Sequence, residues 1–287
     1  MTEVAKKRMI AIGLILLVIL SLALWITWSD KALELNNYKI SDNLIPESFD
    51  GFRIAQISDF HNTEIGANNK KLISVLKESN PDIIAITGDF IDSRNTDIQL
   101  ALQFAKEAVK IAPCYYVSGN HEARIAEYST LKEELIKLGV VILEDEGVLI
   151  EKSSEKITIL GVDDPNIKRD YLPNESRFDL DDKLSELLNE NDYYTVLLSH
   201  RPELFDIYVK NNVDLVLSGH AHGGQFRLPF LGGIVAPDQG FFPEYDSGIY
   251  SENNTSMIVN RGIGNSIIPI RFNNRPEIIL IELSHLQ

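Results

Sequence analysis

Hydrophobic positions along the chain fall into three regimes. The first is one unbroken run: residues 9–28, MIAIGLILLVILSLALWITW, contain no charge. Twenty helical residues rise about 30 Å, the thickness of a bilayer's hydrocarbon core. This run predicts a membrane-spanning helix. The second regime, residues 29–50, is mixed and polar and reads as a linker, with one short strand at LNNYKI (35–40). From residue 51 short apolar runs alternate with stretches of helical periodicity. FRIAQIS (52–58), DIIAIT (82–87) and CYYVS (114–118) read as buried strands. Helices are predicted over 68–80, 97–111 and 129–139. In the first, Leu72, Ile73, Val75 and Leu76 share a face and Pro81 lies just past the end. In the third, Thr130 and Glu133 fit a capping box and Gly139 a C-terminal stop. The order βαβαβα predicts a parallel sheet.

The second half is richer in strands. GVLIEK (147–152) and KITILGV (156–162) read as a hairpin around Ser153-Ser154. A short helix near 180–190, strand YTVLLS (194–199), a helix over 202–211 and strand VDLVLS (213–218) follow. The tail offers strands at QFRLP (225–229), GIYSENNTSMIVN (248–260), PIRF (269–272) and EIILIEL (277–283). No fixed-period repeat is present. The order predicts a layered α/β fold over residues 51–287: an α/β/β/α sandwich of two mixed sheets flanked by helices.

Charge refines this picture. Lys6, Lys7 and Arg8 precede the apolar run. The positive-inside rule keeps residues 1–8 in the cytoplasm and makes the large domain of this single-pass chain extracytoplasmic. The alternative is a signal peptide cleaved after Ser21-Leu22-Ala23, but the run continues through Leu24, Trp25 and Ile26, which fits an uncleaved anchor. The net charge of -15 and pI near 4.8 argue against a nucleic-acid binder, which needs a basic stripe. They permit a site where carboxylates collect cations. The single cysteine, Cys114, excludes a disulfide framework or a Cys-based zinc site and reads as a buried small residue.

The polar residues at the predicted strand ends carry the chemistry. Strand 52–58 runs into Asp59 and His61, and strand 82–87 into Gly88-Asp89. Strand 114–118 leads to Gly119-Asn120-His121-Glu122, strand 194–199 to His200, and strand 213–218 to Gly219-His220-Ala221-His222. Five of the six histidines fall in these motifs, and only His285 does not. In open α/β sheets, ligands bind in the crevice beyond the carboxyl ends of the strands. In an extended backbone His220 and His222 leave on the same face. Asp59, His61, Asp89, Asn120, His200, His220 and His222 offer carboxylate, amide and imidazole donors, a set suited to Mn, Fe or Zn. Seven donors exceed the need of one ion and suit two sharing a bridging carboxylate. Two ions about 3.5–4 Å apart clamp an in-line phosphoryl displacement and convert a water between them to hydroxide near neutral pH.

The ordered blocks Asp59-x-His61, Gly88-Asp89, Gly119-Asn120-His121-Glu122, His200 and Gly219-His220-x-His222 resemble those of the calcineurin-like metallophosphoesterase superfamily. SHRPE and SGHAHGGQFRLP look most like its membrane-associated bacterial phosphodiesterases of the YaeI and YkuE type. The likeness spans Gly51 to about Leu283. It implies one metal held by Asp59, His61, Asp89 and His222. A second would be held by Asp89, Asn120, His200 and His220, with Asp89 bridging. His121 is then left to stabilise the transition state or protonate the leaving oxygen. Glu122 replaces the commoner Asp at a position that is not a ligand in the resemblance. Among weaker candidates, Asp92 caps or orients nearby backbone and Arg94 is a phosphate contact. Arg201 is a surface charge opening a helix. Arg261 contacts substrate or holds its loop, whose glycines serve a turn.

The resulting expectation is a two-metal phosphoesterase, most of all a phosphodiesterase, acting on a phosphoester that is a membrane lipid or lipid-linked. A nucleotide-sugar lipid pyrophosphatase is the runner-up. A non-catalytic membrane-anchored scaffold would have lost ligands, and all seven are present. The apolar stretch LPFLGGIVAP (228–237) reads either as a lipid-touching loop or as a packed hairpin.

Overall fold

The computed structural model describes residues 2–167, 173–189, 191–265 and 268–286. Residue 190, the last of the helix expected near 180–190, lies outside them. Helix α1 (Glu3–Lys31) leads into strand β1 (Glu34–Asp42) and then β2 (Arg53–Ile57), α2 (Lys70–Glu78), β3 (Ile83–Thr87), α3 (Ile98–Ala108), β4 (Cys114–Val117), α4 (Tyr128–Leu138) and β5 (Val141–Ile142). The hairpin β6 (Glu146–Lys152) and β7 (Glu155–Gly161) follows, then α5 (Pro173–Asn189), β8 (Thr195–Leu198), α6 (Phe205–Lys210) and β9 (Leu215–Ser218). Four two-residue strands make a knot: β10 (Arg227–Leu228), β11 (Gly232–Gly233), β12 (Val235–Ala236) and β13 (Gly240–Phe241). The hairpin β14 (Gly248–Glu252) and β15 (Thr255–Val259) precedes the last strand, β16 (Glu277–His285).

Two six-stranded mixed sheets result, ordered β1-β16-β2-β3-β4-β5 and β14-β15-β9-β8-β7-β6. β2 to β5 are mutually parallel, as the βα alternation predicts, and so are β7, β8, β9 and β15. The period-2 rule sorts side chains into three apolar layers. On β3, Ile84 and Ile86 pack on the side of α2, α3 and α4, while Ile83 and Ala85 face the second sheet. On β8 and β9, Val196, Leu198, Leu215 and Leu217 face the first sheet, and Leu197 and Val216 face α5 and α6. The sheets are therefore buried on both faces, which is why their sequences read as continuous apolar runs. The expected four-layer α/β/β/α arrangement is observed.

Four expectations are corrected. The short strand expected at 35–40 is present but longer, and it is no part of a linker: residues 34–42 form the edge strand β1, paired in parallel with β16 over nine residues. Alternation there is weak because Ile40 is the strand's one buried apolar side chain, with Leu35 and Tyr38 only partly buried against the core. Helix α4 starts at Tyr128 without a side-chain cap, so Thr130 lies inside it and no capping box forms; left-handed Gly139 does end it. QFRLP forms strand only at Arg227–Leu228. PIRF forms no strand beyond a single bridge between Phe272 and Phe226, because Arg271 uses its backbone N–H on Asp30.

The docked β1 gives a first prediction. A chain truncated to 45–287 loses the burial of Leu33 and Ile40, about 3–6 kcal/mol at about 1.5–3 kcal/mol per large apolar side chain. It is expected to melt well below a chain retaining 32–287 in thermal denaturation. Equal melting temperatures would show that β1 contributes nothing to the body.

Candidate metal centre

The carboxyl ends of β2, β3, β4, β8 and β9 meet in the crevice between the two sheets. His200 Nδ1 sits 2.8 Å from the Thr87 carbonyl, and the His220 backbone N–H donates to Asp59 Oδ2 at 3.0 Å. These bonds lock the ends of the two sheets together. All seven donors are buried, none more than 5% exposed.

They fall into two groups that share one carboxylate. In the first, His222 Nε2 lies 3.2 Å from Asp59 Oδ1 and 3.2 Å from His61 Nε2, which is 3.5 Å from Asp89 Oδ2. In the second, His200 Nε2 is 3.3 Å from the same Asp89 Oδ2 and 3.2 Å from His220 Nδ1. Asp59, His61, Asp89 and His222, and separately Asp89, His200 and His220, each place one donor atom within 4.8 Å of the others. Asn120 Oδ1 is buried without a hydrogen-bond partner. An orphaned amide oxygen and paired imidazole nitrogens beside carboxylates are an acceptor-rich set that fits divalent cations.

The backbone is strained where these side chains leave it. Asp59, His61, Asp89, His220 and His222 all have positive φ, between 45° and 65°. Non-glycine residues in that region are uncommon and cluster at functional sites. The reading of His220 and His222 on one extended face is corrected here: a tight turn sends them to different groups, His220 to the second and His222 to the first. Close approach explains two glycines. A Cβ on Gly119 would stand 2.3 Å from Asp89 Oδ1, and one on Gly262, at φ 74°, would stand 2.6 Å from Asp59 Cβ. Gly262 thus does more than the turn expected of it.

Electrostatics keep two of the imidazoles in the neutral form that binds metal, while on His200 a proton stands in for a cation beside the two carboxylates. Burial holds His61 and His222 neutral, pushing His61 down to about 3. Burial also disfavours charge on His200, but the Asp89 and Asp59 carboxylates outweigh it and push that group up to about 10. Burial opposes ionisation of Asp89, yet His200 and His61 keep it well below the usual carboxylate range.

Several residues that hold the centre were not legible as such. Glu122 is buried and accepts four backbone N–H bonds, from Asp89, Phe90, Ile91 and Gly119, at 2.7–3.2 Å. It braces the loops carrying Asp89 and Asn120. Arg201, expected on the surface, is buried, with Nε 2.5 Å from Asp164 Oδ2 and Nη1 3.2 Å from His220 Nε2. It is also ion-paired to Asp238, whose Oδ2 lies 3.0 Å from His220 Nε2. Arg94, one of the weaker candidates for a phosphate contact, is paired with Asp92 at 2.7 Å. Arg261 binds Glu34 and Glu277 at 2.8 and 2.7 Å, so it holds β1 to β16. The fully buried Arg271 donates to the carbonyls of Arg261 and Gly264, supporting the loop packed on Asp59 and His61. Asp164 and Asp238 gave no signal because each lies far from the motifs in sequence.

Glu122→Gln keeps the volume but turns an amide NH2 toward N–H donors. Its metal affinity, titrated against a competing chelator, is expected to fall about 10–100-fold, the range for groups that orient ligands. Unchanged affinity would show that the brace is dispensable.

The fold and this donor set define a metal-dependent phosphoric ester hydrolase. The family model for calcineurin-like phosphoesterases matches residues 52–224, and the chain belongs to that family. It is 33% identical over 259 residues to the uncharacterized metallophosphoesterase YkuE of Bacillus subtilis (strain 168), covering 88% of this chain and 85% of that one. It is 24% identical over 247 residues to the phosphodiesterase YaeI of Escherichia coli (strain K12), covering 84% of each. A transmembrane protein with metallophosphoesterase domain from Danio rerio is 29% identical over 248 residues, 83% of this chain and 54% of that one. Among solved structures, TT1561 of Thermus thermophilus shares the fold, with a TM-score of 0.52 at 15% identity over 74% of this chain and 90% of that one. Helix α1, the only helix among the described residues long and apolar enough to cross a membrane, has no buried residue before Ser29.

Proposed function

We propose that the chain is a membrane-anchored phosphodiesterase that uses two divalent ions and acts on a lipid-linked phosphoester. Asp59, His61, Asp89 and His222 hold one ion. Asp89, Asn120, His200 and His220 hold the other. The observation that carries this reading is the position of Asp89 Oδ2, within 3.5 Å of imidazole nitrogens from both groups. Ions bound there supply Lewis-acid charge stabilisation and an activated water for in-line displacement.

The chain's own residues do the rest. His200 Nδ1 faces the Thr87 carbonyl and His220 Nε2 faces the Asp238 carboxylate; both oxygens can only accept, so His200 presents Nε2 and His220 presents Nδ1 to the centre. His121 stands beside the centre as a non-ligand. Its Nδ1 accepts the Ser93 backbone N–H at 3.0 Å, and its ring meets His61 edge-on at 4.4 Å between centroids. A backbone N–H can only donate, so Nδ1 is the acceptor and the ring proton sits on Nε2. Burial keeps the imidazole neutral. His121 thus offers a fixed Nε2–H donor to a phosphoryl oxygen.

The test uses the full-length chain in detergent with Mn, Fe or Zn. Its hydrolysis of bis(p-nitrophenyl) phosphate is compared with p-nitrophenyl phosphate and an alkyl pyrophosphate, alongside elemental analysis. Close to two ions per chain and preference for the diester are expected. One ion or none, with activity indifferent to chelator, would refute the two-metal reading. Preference for the pyrophosphate would replace the diester by the nucleotide-sugar lipid class.

A further inference from the structure

The knot that follows His222 holds out apolar side chains that the body does not cover. Phe230 and Phe241 are 107% and 77% exposed, and Leu231 and Phe242 are both 64% exposed. Phe230 and Phe242 also have positive φ, 68° and 55°, which is costly for bulky residues. Large apolar side chains held out together from one small loop region mark contact with something apolar. Strained backbone beneath it points the same way, since strain of this kind persists where function holds it.

The same knot is tied to the base of α1. The Arg227 N–H donates to the Phe272 carbonyl at 3.0 Å, and Gln225 Nε2 donates to the carbonyls of Ile268 and Ile270. The neighbouring Arg271 N–H donates to Asp30 at 2.6 Å, and the Asn274 N–H to Ser29 Oγ at 3.3 Å. Arg275 donates to the Ala32 carbonyl and lies over the Trp28 ring at 4.9 Å. Asn274 Nδ2 reaches the His222 carbonyl at 2.7 Å. Phe230 is three residues from Arg227, so at about 3.4 Å per residue it lies within roughly 10 Å of the segment that grips α1. The segment that carries the exposed aromatics is therefore bonded to the segment that grips the base of α1, and the His222 side of the metal centre is bonded to that segment too.

We propose that Phe230, Leu231, Phe241 and Phe242 insert into the surface of the bilayer that α1 enters, holding the His222 side of the metal centre against the lipid head groups. The occupant is lipid because the loop that carries these side chains is tied, through the 271–275 segment, to the base of a helix whose apolar surface is uncovered along its length. The proposal rests on reading α1 as a membrane span. It deepens the proposed function by making the body a fixed platform rather than a domain on a loose tether.

The test places an environment-sensitive thiol dye on F230C, F241C and, as a control on the far edge of the second sheet, L149C. The native Cys114 is buried, so labelling is selective. Full-length chains are reconstituted in phosphatidylcholine–phosphatidylglycerol vesicles. Dyes at 230 and 241 are expected to be quenched at least twofold by acyl-chain-brominated lipid and little by aqueous iodide, with the reverse at 149. Iodide quenching at 230 and 241 equal to that at 149, in chains that survive an alkaline carbonate wash, would overturn the insertion alone. A blue shift without lipid quenching would place these side chains against protein, within the chain or on a second copy, and overturn it too. Release of the chain by the wash would overturn the anchor and the insertion together.

Discussion

Asp89→Asn is expected to lose bound metal and activity together. One carboxylate oxygen, Oδ2, faces His61 Nε2 at 3.5 Å and His200 Nε2 at 3.3 Å, so it belongs to both donor groups. The other, Oδ1, accepts the His121 N–H at 2.8 Å and fixes the side chain's rotation. Only Asp59 and Asp89 bring negative charge among the seven donors, so the amide removes half of it. At about 4 Å and an effective dielectric near 20, a lost charge pair is worth about 4 kcal/mol, or roughly 10³ in an equilibrium constant. Elemental analysis is expected to show fewer ions per chain, and kcat/KM on bis(p-nitrophenyl) phosphate is expected to fall about 10³-fold or more. Far-ultraviolet circular dichroism in excess chelator separates this from misfolding, because breaking the buried Asp89–His200 pair is itself expected to lower the melting temperature of the metal-free chain. Retention of wild-type metal content would mean that Asp89 is not the shared ligand.

The sheets were legible because their strands are apolar on both faces, and the helices because α2 and α3 carry clean amphipathic faces. Residues 34–42 were legible only as a short strand within a linker, not as part of the body. β1 is an edge strand, its side chains are mostly polar, and its partner β16 lies more than two hundred residues away in sequence. Local pattern carries no information about such a parallel pairing. PIRF fails for the opposite reason: it looks locally like a strand, but its backbone is used to grip α1.

The seven donors were legible because each directly follows an apolar strand, and strand ends of parallel units converge by topology. What the sequence hid was the support. Glu122, Arg201, Asp164, Asp238 and Arg271 act through contacts between segments 30–40 residues or more apart, or through backbone carbonyls that no motif records. Arg201 beside a proline reads as surface charge until the structure shows three carboxylates around it. The positive φ at five donor positions was equally silent, since aspartate and histidine do not announce it as glycine does.

His121→Ala is expected to fail differently from Asp89→Asn: metal content near wild type, with kcat lower by about 10²–10⁴, the range for a lost acid or charge-stabilising donor. The two roles make different demands on the ring. Proton donation to the leaving oxygen needs an imidazolium, with protons on both nitrogens. The Ser93 N–H aimed at Nδ1 opposes the second proton, and burial opposes the charge. Asp92 Oδ1, 3.5 Å from Nδ1, favours it, but that carboxylate is already engaged by Arg94. The balance favours a neutral Nε2–H donor that stabilises developing charge. The loss in kcat is therefore expected to be similar for diesters with good and poor leaving groups. A loss much smaller for p-nitrophenolate than for an alkoxide would reassign His121 as the general acid. Loss of metal along with activity would instead make it a ligand, in the grouping with His61 and Asp92 that the geometry also allows.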